Sequence, residues 1–306
     1  MYSAGRRLAV ATAALAAIAA LVVGVSASAA SPWPTCLGEP ATIVGTDGND
    51  TIVGTSGDDV IASLGGDDVI TSGGSSDADL ICGGDGNDTL LSTPGGESFL
   101  DWAVMSGDAG DDHIQGNEDT ITEADYEDSP EPVTVDLGAA TESGWGHDTL
   151  VRVDFVDGSR YNDVLSGSNQ SDGLYGGAGD DTISGLGGGD YLDGEAGVNT
   201  IDGGPGSDWL DYWNAPSGVH ADLAKGTAAS GWGTDSFRSM ENIYGSKHAD
   251  ALVGNAGPNL IGGNKGNDRL YGGKGRDFLD GQSGKDRADG GPARDQCRAE
   301  KKIHCP

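Results

Sequence analysis

GGAGDDTIS (176–184) and GGKGRDFLD (272–280) share one pattern: G-G-x-G-x-D-x-U-x, with U a large aliphatic. Working outward from the first, Asp163, Asp172, Asp181, Asp190, Asn199 and Asp208 follow one another at steps of nine residues. Leu165, Leu174, Ile183, Leu192, Ile201 and Leu210 keep the same step, two places later. A fixed short period of this kind belongs to a solenoid, in which each repeat buries its apolar residue against its neighbours. The pattern assigns positions one to six to a turn and seven to nine to a short strand. Two nonapeptides then complete a coil of 18 residues. The expected fold is all-β, a parallel β-roll with position eight pointing inward from both walls.

Three blocks of repeats emerge. The first carries Asp50, Asp59, Asp68, Asp79 and Asp88, and its step of eleven from Asp68 to Asp79 marks a two-residue insertion in SGGSSDADLIC (72–82). A lone repeat, GDAGDDHIQ (107–115), adds Asp112. The second block is 158–211; the third is 245–298, with Asp250, Asn259, Asp268, Asp277, Asp286 and Asp295. A longer repeat joins them. Asp125-Tyr126 recurs as Asp211-Tyr212, VTVDL (133–137) as VHADL (219–223), and GWGHD (144–148) as GWGTD (231–235), at an offset of 86 to 87 residues. The expected organisation is a first repeat block with an irregular tail (31–124), a spacer with the second block (125–210), and the duplicated spacer with the third block and a C-terminal cap (211–306).

The chain carries 17 Lys+Arg against 49 Asp+Glu, a net charge of −32. So acidic a field repels nucleic acid and anionic membranes and makes cations the natural ligands. Arg6 and Arg7, an apolar run from Leu8 to Val25 and the small residues SASAA (26–30) have the layout of a secretory signal, residues 1–30, cleaved near Ala29–Ser31. Its loss takes the charge from −32 to −34. No second apolar run follows, so no transmembrane segment is expected in a secreted, extracellular chain. Cys36, Cys82, Cys297 and Cys305 contain no Cys-x-x-Cys and are even in number. Disulfides Cys36–Cys82 and Cys297–Cys305, one at each end of the array, are expected.

Parallel strands stack about 4.8 Å apart. Position-six carboxylates one coil apart therefore face each other across a gap that suits calcium, whose oxygen ligands lie at about 2.3–2.6 Å. Magnesium, at about 2.0–2.1 Å with a stiff octahedron, fits poorly. Glycine is expected at positions one and four, which need conformations open mainly to glycine and where a side chain would obstruct the turn carbonyls. The expected calcium ligands are Asp50, Asp59, Asp68, Asp88, Asp112, Asp163, Asp172, Asp181, Asp190, Asp208, Asp250, Asp268, Asp277, Asp286 and Asp295. Pairs such as Asp172/Asp190, Asp190/Asp208, Asp250/Asp268, Asp268/Asp286 and Asp277/Asp295 should each clamp one ion, for on the order of six to ten ions in all. Asn199 and Asn259 lack the charge, while Tyr161 and His248 stand at glycine positions, so those turns should bind weakly. One aliphatic per nine residues is too thin a core for so acidic a chain, and folding should be coupled to calcium binding.

With these residues in view, the chain over about 41–298 resembles the haemolysin-type, or RTX, calcium-binding repeat proteins. The DY…VTVDL…GWGHDTL module is similar to the spacer between repeat blocks in that family. The resemblance implies parallel β-rolls that form on meeting extracellular calcium. No His-Glu-x-x-His or Gly-x-Ser-x-Gly occurs, so no enzymatic activity is expected. DGND (47–50, 85–88) lacks the glutamate and flanking helices of an EF-hand. Trp145 and Trp232 recur at equivalent places, which favours packing over sugar stacking. The expected role is structural or adhesive outside the cell; the rival is a calcium-stabilised protein that binds or modifies a cell-surface or extracellular polysaccharide.

Overall fold

The computed structural model describes residues 34–74, 78–94 and 101–305, and every regular element among them is a β-strand. The expected signal segment lies outside the described residues. The chain divides into two compact units, Met1–Thr122 and Glu123–Pro306.

In the first unit one wall runs Ile43–Val44, Val60–Ala62, Ala78–Cys82, Trp102–Ser106, each strand parallel to the next. The facing wall runs Thr51–Val53, Val69–Thr71, Thr89–Leu91, His113–Gln115, also parallel. Ile61, Ile70, Ile81, Leu90, Met105 and Ile114 point between the walls and are 0% exposed. Pairing Ile61 with Ile81, and Ile70 with Leu90, makes these coils 20 residues long. The insertion leaves the inward register of the described strands unchanged, as it must, because a one-residue shift would turn the aliphatic outward. Cys36, from the antiparallel pair Thr35–Cys36 and Glu39–Pro40, is bonded to Cys82 with the Cα atoms 5.6 Å apart.

In the second unit one wall is parallel throughout, from Glu123–Asp125 through Phe155–Asp157, Gly173–Tyr175, Tyr191–Asp193 and Trp209–Asp211 to Gln296–Arg298. Its partner wall repeats the 18-residue coil in pairs such as Leu165↔Ile183 and Ile183↔Ile201. The spacers depart from this rule. In each, an antiparallel meander enters the wall: Thr134–Asp136, Thr141–Ser143 and Thr149–Val151 in the first, His220–Asp222, Thr227–Ala229 and Thr234–Arg238 in the second. The duplication of sequence is therefore a duplication of topology. Ala288, at an aliphatic position near the C-terminal end, is still 0% exposed. Beyond it Cys297 is bonded to Cys305, Cα atoms 5.8 Å apart.

Candidate metal centre

Successive turns are tied by one recurrent bond. The backbone N–H of each position-six residue donates to Oδ1 of the position-six residue one coil later: Asp163 to Asp181 at 2.8 Å, Asp172 to Asp190 at 3.0 Å, Asp190 to Asp208 at 3.0 Å. In the last block Asp250 donates to Asp268, Asp268 to Asp286 and Asp277 to Asp295, at 2.9, 2.9 and 3.0 Å. The first unit repeats the arrangement with Asp50 to Asp68, Asp68 to Asp88 and Asp88 to Asp112, at 2.6, 2.8 and 2.7 Å. The ladder inferred from sequence is thus a row of contacts within each block, and it uses Oδ1 of each later aspartate.

The second carboxylate oxygen divides the turns into two kinds. In the opening turns of each block a hydroxyl residue stands at position two, and its backbone N–H donates to Oδ2 of its own aspartate. Thr46 serves Asp50 at 2.7 Å, Thr55 serves Asp59 at 2.5 Å, Ser159 serves Asp163 at 2.6 Å, Ser168 serves Asp172 at 2.5 Å and Ser246 serves Asp250 at 2.8 Å. The hydroxyls bond the same carboxylates, as Ser159 Oγ does to Asp163 Oδ1 at 2.7 Å. In the interior turns no such donor exists. Oδ2 of Asp68, Asp88, Asp181, Asp190, Asp208, Asp268, Asp277, Asp286 and Asp295 is buried without a hydrogen-bond partner.

Backbone conformation explains the difference. Position two of the interior turns is left-handed, as at Gly177 (φ 85°), which turns its N–H away from the carboxylate. Leu186 (φ 66°) and Glu195 (φ 53°) adopt the same conformation without being glycine. Conformation and space were both expected to require glycine at positions one and four. At position four Gly179 (φ 143°) needs both, since a Cβ there would also meet the Tyr161 carbonyl. Position one needs empty space: a Cβ on Gly176 would stand 2.4 Å from Asp181 Oδ2 and 2.8 Å from the Gly194 carbonyl one coil on. Gly272 repeats this with Asp277 Oδ2 at 2.4 Å and the Gly290 carbonyl at 2.7 Å.

Each interior turn therefore holds a small cradle of oxygens with nothing to balance its charge. Burial pushes the Asp181 carboxyl up to about 7 and that of Asp190 to about 6; the N–H of the aspartate one coil earlier pulls the other way, and neighbouring aspartates add to the rise. Asp268, at about 7, and Asp88, at about 6, have the same leading cause. Buried carboxylates of this kind need a proton or a cation. The donor set consists of carboxylate and carbonyl oxygens only, which suits a hard ion that takes six to eight oxygens in flexible geometry, as calcium does.

The asparagines escape the need. Asn259 accepts the N–H of Asn255 at 2.9 Å through Oδ1 and donates through Nδ2 to the Glu241 carbonyl at 2.6 Å. At Asn199 Oδ1 accepts the Asp181 N–H at 2.9 Å, and a buried amide nitrogen stands where other turns present an oxygen. Tyr161 and His248 both belong to opening turns, whose aspartates are satisfied internally.

Several ladder members were not singled out from the sequence. Asp235 of GWGTD accepts the Asn199 N–H at 3.0 Å, so this part of the spacer is itself a repeat turn, stacked next to that of Asn199 though 36 residues away in sequence. Its Oδ2 receives the Tyr212 hydroxyl at 2.7 Å; in the first spacer Tyr126 serves Asp148 at 3.0 Å. The signal was present: Asp235 lies 36 residues after Asn199, twice 18, with Gly231 and Gly233 at positions two and four. Glu241 accepts the Asp208 N–H at 3.1 Å and Glu300 the Asp286 N–H at 2.6 Å, at spacings of 33 and 14 residues that no period marks.

The sequence profile of one family, the RTX calcium-binding nonapeptide repeat, matches at residues 44–77, 74–90, 104–120, 152–183, 175–210 and 262–297. No curated protein matches the chain.

Proposed function

Because this chain belongs to the RTX calcium-binding nonapeptide repeat family, and binds calcium through such repeats, we propose that calcium and the folded roll form together, outside the cell. The observation that carries the reading is the row of buried, unpartnered Oδ2 atoms in a chain of net charge −32. Each ion would bridge oxygens of successive turns and offset about two negative charges. Without ions, the same oxygens oppose folding, so the calcium-free chain is largely unfolded. Circular dichroism in excess chelator tests this: β structure should appear on adding calcium and not on adding magnesium. An unchanged β spectrum in chelator rules the coupling out.

The biological role follows from what the chain carries. Calcium is scarce inside cells and plentiful outside, so a chain that needs it to fold would leave unfolded through the segment 1–30 and fold afterwards. Recovery of a chain starting near Ser31 in the medium tests the export. A structural or adhesive role is favoured over polysaccharide binding by the aromatic geometry. Tyr191 stacks on Trp209 at 6.0 Å and 6°, and Phe155 on Tyr175 at 6.2 Å and 12°. Rings stacked on one another have less face left for a sugar. A glycan array with and without calcium separates the two readings.

A further inference from the structure

The two copies of the spacer differ most sharply inside the core. In the second copy Ala221 pairs with Ala228 on the inward face of the meander; the same register in the first copy sets Val135 against Glu142. A glutamate thus replaces an alanine where Val135 is 0% exposed. Glu142 is itself 3% exposed, and neither of its carboxylate oxygens closes a hydrogen bond of good geometry, the N–H groups of Trp145 and Asp148 being its nearest donors.

Across the strand pair stands a second carboxylate. Glu142 N–H donates to the backbone carbonyl of Asp148 at 3.0 Å, and Asp148 stands just before the neighbouring strand Thr149–Val151. Asp148 is also 3% exposed, and its Oδ2 receives the neutral Tyr126 hydroxyl at 3.0 Å. Burial, and after it the charge of Asp148, push the Glu142 carboxyl up to about 8, although the N–H groups of Trp145 and Asp148 pull the other way. Two acids in so dry a place need compensation. A proton on Glu142 would remove one charge and leave an acceptor oxygen unmet. A cation meets both Glu142 oxygens and the Asp148 charge at once.

We propose that Glu142 and Asp148 form a divalent-cation site of their own in the first spacer, taking a hard, oxygen-seeking ion of calcium's class, and that the second spacer, with Ala228, lacks it. The site is distinct from the interior-turn cradles, and it rests on the proposed function, since the meander that carries it forms only in the folded roll.

Trp145, three residues before Asp148, provides an optical reporter for terbium used as a calcium substitute. The whole mature chain should bind one calcium fewer at saturation, by equilibrium dialysis, as Glu142→Ala and as Glu142→Gln. Ala228 shows that the register accommodates alanine, and the glutamine keeps the volume if alanine does not fold. Both variants, and Trp145→Phe, should lose the same part of the tryptophan-sensitised terbium emission, whereas Asp181→Ala should keep it. The proposal is overturned if both Glu142 variants bind as many ions as the parent and keep that emission.

Discussion

Tyr212 donates its hydroxyl to Asp235 Oδ2 at 2.7 Å, and so gives a neutral donor to the oxygen that the interior turns keep free. The Asp-Tyr of the second spacer is thereby explained: Tyr212 closes the ladder there without an ion. Replacing Tyr212 by Phe leaves a buried carboxylate oxygen unmet, at a cost of about 1–3 kcal/mol. Chemical denaturation at saturating calcium should show that loss, with the phenylalanine variant unfolding earlier. Equal midpoints would mean the hydroxyl plays no such part.

Asp181 contributes twice, accepting the Asp163 N–H at 2.8 Å and keeping Oδ2 free. Asp181→Ala therefore removes a calcium ligand and leaves a buried N–H unpaired. It should raise the calcium concentration needed for folding far more than Asp119→Ala, which lies in an exposed turn off the ladder. Asp190→Ala should behave like Asp181→Ala. Comparable midpoints in a calcium titration followed by circular dichroism would contradict the ladder.

The opening turns should respond differently. Ser159 Oγ bonds both oxygens of Asp163, at 2.7 and 3.0 Å. Ser159→Ala should cost about 1 kcal/mol through the lost hydrogen bonds, while the number of calcium ions bound stays the same. A drop in stoichiometry would show that the opening turns hold ions of their own.

The repeat period, the strand at positions seven to nine and the inward position eight were legible because each follows from local spacing, and both disulfides because the cysteines bracket the two ends of the array. Less visible was how each carboxylate spends its oxygens. The choice between an opening and an interior turn rests on the backbone at position two, where Leu186 and Glu195 take a conformation their residue types do not announce. The spacer hid its own repeat turn, because the antiparallel meander puts 36 residues between Asn199 and the Asp235 that stacks on it. Glu142 was invisible for a related reason: only the register against Val135 shows that it faces the core.

Acid should replace calcium in part. Burial raises the folded-state carboxyls of Asp181 and Asp268 to about 7, and of Asp88 and Asp190 to about 6, whereas an unfolded aspartate titrates near 3.9. Between these values the folded chain binds more protons than the unfolded one, so its stability without calcium falls as pH rises from about 4 to about 7. In chelator, β structure should therefore increase as pH is lowered from 7 to 5, while calcium affinity declines over the same range. A calcium-free chain that loses β structure on that descent would contradict the account.

The central claim is that the unpartnered oxygens of the interior turns are the calcium ligands. Anomalous diffraction from crystals grown with calcium locates the ions directly. Peaks are expected within about 2.3–2.6 Å of Oδ2 of Asp181, Asp190, Asp208, Asp268, Asp277, Asp286 and Asp295, and none at that distance from Asp235 Oδ2, which the Tyr212 hydroxyl already occupies. A calcium-saturated crystal whose interior turns show no peaks, or whose ions sit at Asp235 and leave Asp181 and Asp190 bare, would contradict it.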